Sequence, residues 1–292
     1  MEIIVGKTSG FCYGVKNAVE KAENEVEKSN KKIYCLGELV HNKTVIENLQ
    51  KKGLIFIENI EEAKEKTIIR AHGIKKEIYE EAKNRKIQLI DLTCPNVLKI
   101  HDIVQEYSNK NYYIFLIGKK EHPETIGTYS FCGKNATIIS NVEEVEDAVK
   151  CFQKTKLDRL LIISQTTYNL KVFEDIVNKV KDIIPKKINI EVKNTICLST
   201  SQRQKETKEI SKKVDLMIIV GGKNSSNTQK LYDISCENCK KVLFAENKND
   251  IDFKKMKNFN KIGIMAGAST PNEIVEEIVK ELKHANSRQK GE

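Results

Sequence analysis

Short β-branched apolar runs alternate with longer amphipathic runs along nearly the whole chain. Strand-like runs fall at 3–5, 32–36, 54–57, 67–70, 87–91, 112–117, 136–139, 160–164, 188–192, 216–220, 242–244 and 262–265. Between them, apolar residues recur at helical spacing near 14–29, 42–52, 75–85, 95–109, 143–151, 169–184, 201–213, 226–236 and 271–284. That alternation predicts an α/β protein with parallel sheets covered by helices. Twelve strands in one twisted open sheet would exceed the ~10 that such sheets usually hold. Several small α/β units are therefore expected. No exact sequence repeat and no Pro-, Gly- or Ser-rich linker separates them, so close packing is expected too. The end of the chain, 285–292, is polar and predicts a disordered tail.

Length adds a prior of about two domains for 292 residues. With 39% hydrophobic and 31% charged residues, 4 Pro and no Trp, fibrous and low-complexity classes are excluded. No apolar run approaches the ~18 residues of a membrane span. The first residues run straight into a strand pattern without a charged leader, so a cytoplasmic protein is expected. Net charge is +9, but Lys and Glu are interleaved along the helical runs, which reads as a solvated surface. No basic stripe with interleaved aromatics is present, so neither a nucleic-acid nor a membrane partner is expected.

Ligands of open α/β sheets bind beyond the carboxyl ends of the strands. The residues after each strand-like run therefore matter most. Cys12, His41, His72, Cys94, the turn His122-Pro123-Glu124, Thr166, Cys197, the turn Asn224-Ser225-Ser226-Asn227 and the turn Ser269-Thr270-Pro271 all stand there. Three of the eight Cys and three of the five His thus fall at strand-to-helix turns. His101 and His284 lie inside helical runs and read as surface or packing residues.

Cys12, Cys94 and Cys197 are far apart, unlike the paired ligands of structural zinc. They suit a metal centre assembled where sub-domains meet. Three thiolates on a [4Fe-4S] cluster would leave one iron without a protein ligand, open to substrate. A helix N-terminus beside each cysteine favours negative charge there. Ordinary buried cysteines are the alternative. Cys236 and Cys239 form the only C-x-x-C. It sits late in a helical run and reads as incidental; a zinc or thiol-dependent binding module there is the competing function. Cys35, Cys132 and Cys151 read as packing residues.

Ser225, Ser226 and Asn227 follow two glycines and open a helix, which makes an anion cradle. Ser269 repeats the logic. Simple helix capping is the alternative for each. A P-loop fails because the first glycine of its pattern would fall at Met1, and no G-x-G-x-x-G follows a strand. Glu124 offers a proton if buried, and Thr166 a hydroxyl to relay or orient one. An exposed Glu is the alternative.

The ordered set of motifs narrows these choices. Gly10-Phe11-Cys12-Tyr13-Gly14-Val15, Val40-His41-Asn42, Arg70-Ala71-His72-Gly73, Thr93-Cys94-Pro95, His122-Pro123-Glu124 and Gln165-Thr166-Thr167 come first. Thr195-Ile196-Cys197, Asn224-Ser225-Ser226-Asn227-Thr228 and Ala266-Gly267-Ala268-Ser269-Thr270-Pro271 complete it. Together they resemble the 4-hydroxy-3-methylbut-2-enyl diphosphate reductase family, over roughly residues 3–275.

The resemblance implies three similar small parallel-sheet α/β units in a trefoil around a central [4Fe-4S] cluster. The units would be 14–96, 97–193, and 194–284 with 1–13. It implies Cys12, Cys94 and Cys197 as cluster ligands. His41, His72, His122, Ser225, Ser226, Asn227 and Ser269 would surround the substrate, mostly at its diphosphate. Glu124 would be the proton donor, and Thr166 would lie near the substrate hydroxyl. The implied reaction is a two-electron reductive dehydroxylation to isopentenyl and dimethylallyl diphosphates, with electrons from ferredoxin or flavodoxin. The chain departs from the family pattern at Leu92 (usually Ala), at Tyr168-Asn169 (often Leu-Ser) and at Leu198-Ser199 (commonly Tyr-Ala).

Overall fold

Each of the twelve expected apolar runs forms a strand in the computed structural model, which describes residues 1–287. The order begins β1 (Glu2–Val5), α1 (Tyr13–Lys28), β2 (Ile33–Leu36), α2 (Lys43–Lys51), β3 (Leu54–Ile57), β4 (Thr67–Ile69), α3 (Lys76–Asn84) and β5 (Leu89–Asp91). It continues α4 (Pro95–Asn109), β6 (Tyr113–Ile117), α5 (Pro123–Phe131), β7 (Ala136–Ile139), α6 (Val145–Gln153), β8 (Arg159–Ser164), α7 (Leu170–Ile183) and β9 (Asn189–Lys193). It ends α8 (Leu198–Ser211), β10 (Leu216–Val220), α9 (Ser226–Asn238), β11 (Val242–Ala245), α10 (Phe253–Met256), β12 (Lys261–Ala266) and α11 (Asn272–Ser287).

The strands pair in parallel as three four-stranded sheets with one shared order: β3-β2-β4-β5, β7-β6-β8-β9 and β11-β10-β12-β1. In the third sheet, the chain's first strand completes a sheet built otherwise from its last third. Ile4 of β1 aligns with Gly263 of β12. The fold thus carries a topological repeat that the residues themselves do not spell.

Inner strands are buried on both faces, which is why they read as continuous apolar runs. Phe115, Ile117, Leu160 and Ile162 pack with Val149 and Phe152 of α6 and with Phe173 and Ile176 of α7. Their neighbours Ile114, Leu116, Leu161 and Ile163 pack with Ile100, Val104 and Tyr107 of α4. In the third sheet, Ile218 and Ile264 pack with Ile274, Ile278 and Leu282 of α11. Edge strands β1, β5 and β9 are only partly buried.

The chain divides into two compact units. One comprises Met1–Lys16, Val40–Glu47 and the chain from Leu198 onward, and contains the sheet closed by β1. The other comprises Asn17–Leu39 and Asn48–Cys197, and contains the other two sheets.

Four elements differ from expectation, among them the one-turn helix α10 at Phe253–Met256, where no helical run was expected. Helix α5 lies on residues that read only as a turn. Its segment is rich in Thr and Ser and interrupted by Gly127, so no apolar stripe announces it. Pro123 at its start and Glu124 in its first turn are the signals that mark it. Helix α8 begins at Leu198 rather than 201, because its first turn is polar apart from Leu198. Helix α11 runs through Ser287, so 285–287 are helical; the rest of the expected tail, 288–292, lies outside the described residues. Among the described residues, no helix is long and apolar enough to cross a membrane.

Phe115 is fully buried in the middle of β6. Phe115→Ala is expected to cost about 3–5 kcal/mol, read as a lower denaturant midpoint.

Candidate functional site

Because the three sheets share one order, equivalent strand ends carry equivalent residues. The edge strands β1, β5 and β9 lead to Cys12, Cys94 and Cys197, which directly precede α1, α4 and α8. Each cysteine N–H donates to a carbonyl in the loop after the neighbouring strand. Cys12 donates to Ala268 O at 3.1 Å, Cys94 to Ala71 O at 3.0 Å and Cys197 to Thr166 O at 3.0 Å. The first two acceptors immediately precede Ser269 and His72, and the third belongs to Thr166 itself. One main-chain bond therefore fixes each cysteine's backbone against a loop bearing a candidate substrate residue. All three cysteines are thiols, partly accessible to solvent. A negative ligand charge there lies at the positive end of a helix. Soft thiolate donors suit an iron–sulfur cluster.

The loop that presents Cys12 is held by two residues the sequence reading passed over. Glu206 accepts from Lys7 N–H at 2.7 Å, Thr8 N–H at 2.9 Å and the Thr8 hydroxyl at 2.5 Å. Arg203, only 2% exposed, donates to Thr8 O and Gly10 O at 2.7 Å each and to Ser199 Oγ at 2.9 Å. Gly10 has φ +95°, and a Cβ there would stand 1.8 Å from Asn272 Oδ1. The available signal was the character of α8. Its buried face is mostly polar, with Thr200, Arg203, Gln204, Thr207 and Ser211.

In the same unit, the loops after β10 and β12 converge on the main chain of His41. The Ser269 hydroxyl donates to His41 O at 3.0 Å, and a Cβ on Gly222 would stand 2.5 Å from that oxygen. Ser225 caps α9, accepting from Thr228 N–H at 3.3 Å. Ser226 Oγ and both amide atoms of Asn227 are buried without a hydrogen-bond partner. Each such group costs about 1–3 kcal/mol. Unpartnered donors beside the open N–H groups of a helix start make an anion site. Capping alone thus accounts for Ser225 and leaves Ser226 and Asn227 without a role.

The other unit contains the remaining candidates. The His72 and His122 rings meet edge to face, with centroids 5.4 Å apart. His122 caps α5: its Nδ1 accepts from Glu124 N–H at 3.2 Å, which assigns the neutral ring proton to Nε2. Glu124 is buried, not exposed. One carboxylate oxygen accepts from Thr166 N–H at 2.6 Å and the other from the Thr166 hydroxyl at 2.7 Å. Burial pushes its pKa up to about 7, with the two Thr166 bonds pulling the other way. A carboxyl group poised near neutrality can hold a proton and give it up.

The other singled-out residues resolve into packing or surface. His101 is buried and stacked on Phe131 at 4.3 Å, and burial lowers its pKa to about 4. His284 lies in α11. Cys35 and Cys132 are packing residues whose thiols burial pushes up to about 12. Cys151 is a correction: it is exposed. The buried face of α6 is Val145, Ala148, Val149 and Phe152, and residue 151 falls on the opposite side. Cys236 is exposed, and Cys239 caps the end of α9 with its thiol on Lys241 O at 3.2 Å. Among the described residues, neither belongs to a group of three or more metal-ligating side chains.

The departures from the family pattern also have local reasons. Leu92 and Tyr168 are buried. Asn169 caps α7, accepting from Val172 N–H at 3.2 Å, as a serine would. Ser199 accepts from Arg203.

A family model described as LytB protein matches residues 3–283. The 4-hydroxy-3-methylbut-2-enyl diphosphate reductase of Clostridioides difficile (strain 630) is 43% identical over 286 residues, covering 97% of this chain and 100% of that relative. The structure of the E-1-hydroxy-2-methyl-but-2-enyl-4-diphosphate reductase from Plasmodium falciparum matches with a TM-score of 0.87 at 35% identity. It covers 96% of this chain and 87% of that one. A second solved structure is titled (E)-4-hydroxy-3-methyl-but-2-enyl diphosphate reductase, the terminal enzyme of the non-mevalonate pathway. It matches with a TM-score of 0.70 at 35% identity, covering 97% of this chain and 100% of that one.

Two outcomes are expected from this geometry. Arg203→Met removes a buried charge with three acceptors, and is expected to cost at least ~2 kcal/mol. Faster amide exchange at residues 8–10 should accompany it. For Glu124, the folded chain keeps its proton between the ordinary value of 4.5 and about 7, where the unfolded chain has lost it. Stability from this group therefore falls as pH rises through that window and is level above it. Denaturation at pH 5 and pH 8 should show Glu124→Gln gaining stability relative to wild type at the higher pH.

Proposed function

The chain belongs to the LytB protein family, and on that premise we propose that it reduces 4-hydroxy-3-methylbut-2-enyl diphosphate. The products are isopentenyl and dimethylallyl diphosphates. Two electrons and two protons are consumed, the allylic C–O bond breaks, and the oxygen leaves as water. The observation that carries the reading is the threefold placement of Cys12, Cys94 and Cys197 at equivalent strand ends, each bonded to a neighbouring loop.

These three cysteines are the residues we assign to hold a [4Fe-4S] cluster. When bound, that cluster supplies the reducing electrons and one iron without a cysteine ligand as a Lewis acid. Ser225, Ser226, Asn227 and Ser269, with His41, His72 and His122, are assigned to bind the substrate, mostly at its diphosphate. Supporting this are the buried, unpartnered Ser226 hydroxyl and Asn227 amide N–H, donors that anionic oxygens would accept.

Thr166 and Glu124 act as one device. The hydroxyl and N–H of Thr166 hold both carboxylate oxygens and orient the group. We assign that hydroxyl to relay the proton that the leaving water needs, accepting one from the Glu124 carboxylic acid as it donates its own. Burial keeps bulk water from exchanging that proton. The electrons come from a carrier protein of the ferredoxin or flavodoxin class.

Anaerobically purified protein is expected to absorb broadly in the visible, and Cys12→Ser to lose that absorption. Glu124→Gln is expected to bind the diphosphate substrate with near wild-type affinity while turnover falls by at least ~100-fold. A colourless, iron-free yet active wild type would overturn the reading. So would wild-type turnover in Glu124→Gln.

A further inference from the structure

Gln165 directly precedes Thr166 and is only 1% exposed. Its side chain is hydrogen-bonded at both ends. The amide oxygen accepts from Lys119 N–H at 3.1 Å and from the Thr125 hydroxyl at 3.3 Å. The amide nitrogen donates to Thr167 Oγ1 at 2.9 Å. A main-chain N–H can only donate, so the atom facing Lys119 is the oxygen and the nitrogen faces Thr167. The main chain of Gln165 is anchored too, its N–H donating to Ile117 O at 2.8 Å.

Two of these partners stand one residue from the Glu124–Thr166 pair. Thr125 follows Glu124 in the first turn of α5, and Thr167 follows Thr166 in the loop after β8. The third, Lys119, begins the turn that leads into α5, and its carbonyl accepts from His122 N–H at 3.1 Å. One amide thus ties together the loop after β6, the first turn of α5 and the loop after β8. All of these residues belong to one compact unit. Gly118 permits the approach: a Cβ there would stand 2.7 Å from Thr125 Oγ1 and 3.2 Å from Gln165 Cβ. The Glu124 carboxyl group needs this spacing. Thr166 reaches its two oxygens from the N–H at 2.6 Å and from the hydroxyl at 2.7 Å. Separating the two backbones by roughly half an ångström would stretch the hydroxyl bond past its ordinary range.

We propose that Gln165 is a positioning residue: its amide sets the spacing of the α5 turn and the β8 loop, and so keeps Glu124 and Thr166 in register for proton transfer. The proposal rests on the reductase reading above, in which Glu124 is the proton donor. Gln165 acts through its neighbours rather than on substrate. A methionine at 165 has nearly the same length and shape but no amide. It would leave Lys119 N–H and the Thr125 and Thr167 hydroxyls without this partner. The register would then loosen, and a misplacement of about 1 Å can cost ~100-fold in rate.

The test is a double-mutant cycle on anaerobic, iron-loaded protein, with dithionite as reductant. Its members are wild type, Gln165→Met, Glu124→Gln and the double variant. For Gln165→Met, kcat is expected to fall by about tenfold or more, with KM, iron content and visible absorption within about twofold of wild type. In the Glu124→Gln background the same substitution is expected to change kcat by less than about twofold, because the proton it positions is already gone. Thr167→Val removes only one of the three partners and is expected to show the same pattern at about threefold. It carries the test if Gln165→Met does not fold. An equal loss of kcat in both backgrounds would overturn the proposal and make Gln165 a support of the fold. A rise in KM at unchanged kcat would overturn it by making Gln165 a substrate contact. Wild-type kcat in both Gln165→Met and Thr167→Val, beside a slow Glu124→Gln, would overturn it while leaving the reductase reading intact. Wild-type turnover in Glu124→Gln would instead sink Glu124 as the proton donor, and the proposal with it.

Discussion

A single main-chain hydrogen bond, made three times, organises this protein. At the end of each edge strand, a cysteine N–H donates to the loop that follows the neighbouring strand. The bond requires parallel neighbours of matched register, and β1 with β12, β5 with β4 and β9 with β8 supply them. It leaves the thiol at a helix start, with its backbone fixed by something other than a metal. The same loops carry Ser269, His72 and Thr166. Positioning of the assigned ligands and of the substrate residues is therefore one problem, solved by the sheet order.

Around that frame, polar groups are buried where burial is costly. Arg203 and Glu206 place opposite charges on either side of Thr8, so that its N–H, hydroxyl and carbonyl are all bound. Their hydrogen bonds offset the desolvation. Ser226 and Asn227 have no such return within the protein. Glu124 lies between these cases. Two bonds from Thr166 favour its carboxylate, burial favours its carboxylic acid, and burial prevails enough to bring it near neutrality. The same physical cost is thus offset by hydrogen bonds at Arg203, is left unmatched within the protein at Asn227, and brings the Glu124 carboxyl near neutrality.

Much of this was legible in the sequence, for reasons that differ by residue. All twelve strands showed themselves because inner strands of parallel sheets are continuous apolar runs, and even the edge strands keep one apolar face. Cys12, Cys94 and Cys197 were singled out by where they fall, not by spacing. Helix α5 and the start of α8 were hidden because their first turns are largely polar where periodicity expects apolar residues. The shared strand order was also out of reach, since it is written in pairing rather than in repeated residues. Cys151 was misread because a cysteine on the outer face of α6 looks no different in sequence from one on its inner face. Arg203 was missed because nothing local marks one arginine as the clamp of a loop nearly two hundred residues away.

The central claim is that three cysteines, and no fourth, hold a cluster whose remaining iron is left for the substrate. Mössbauer spectroscopy of the iron-loaded protein, with and without the diphosphate substrate, tests it most directly. The account predicts one iron site distinct from the rest, and predicts that this site alone shifts when substrate is added. Equivalent irons that ignore the substrate, or a distinct site that persists unchanged, would contradict it.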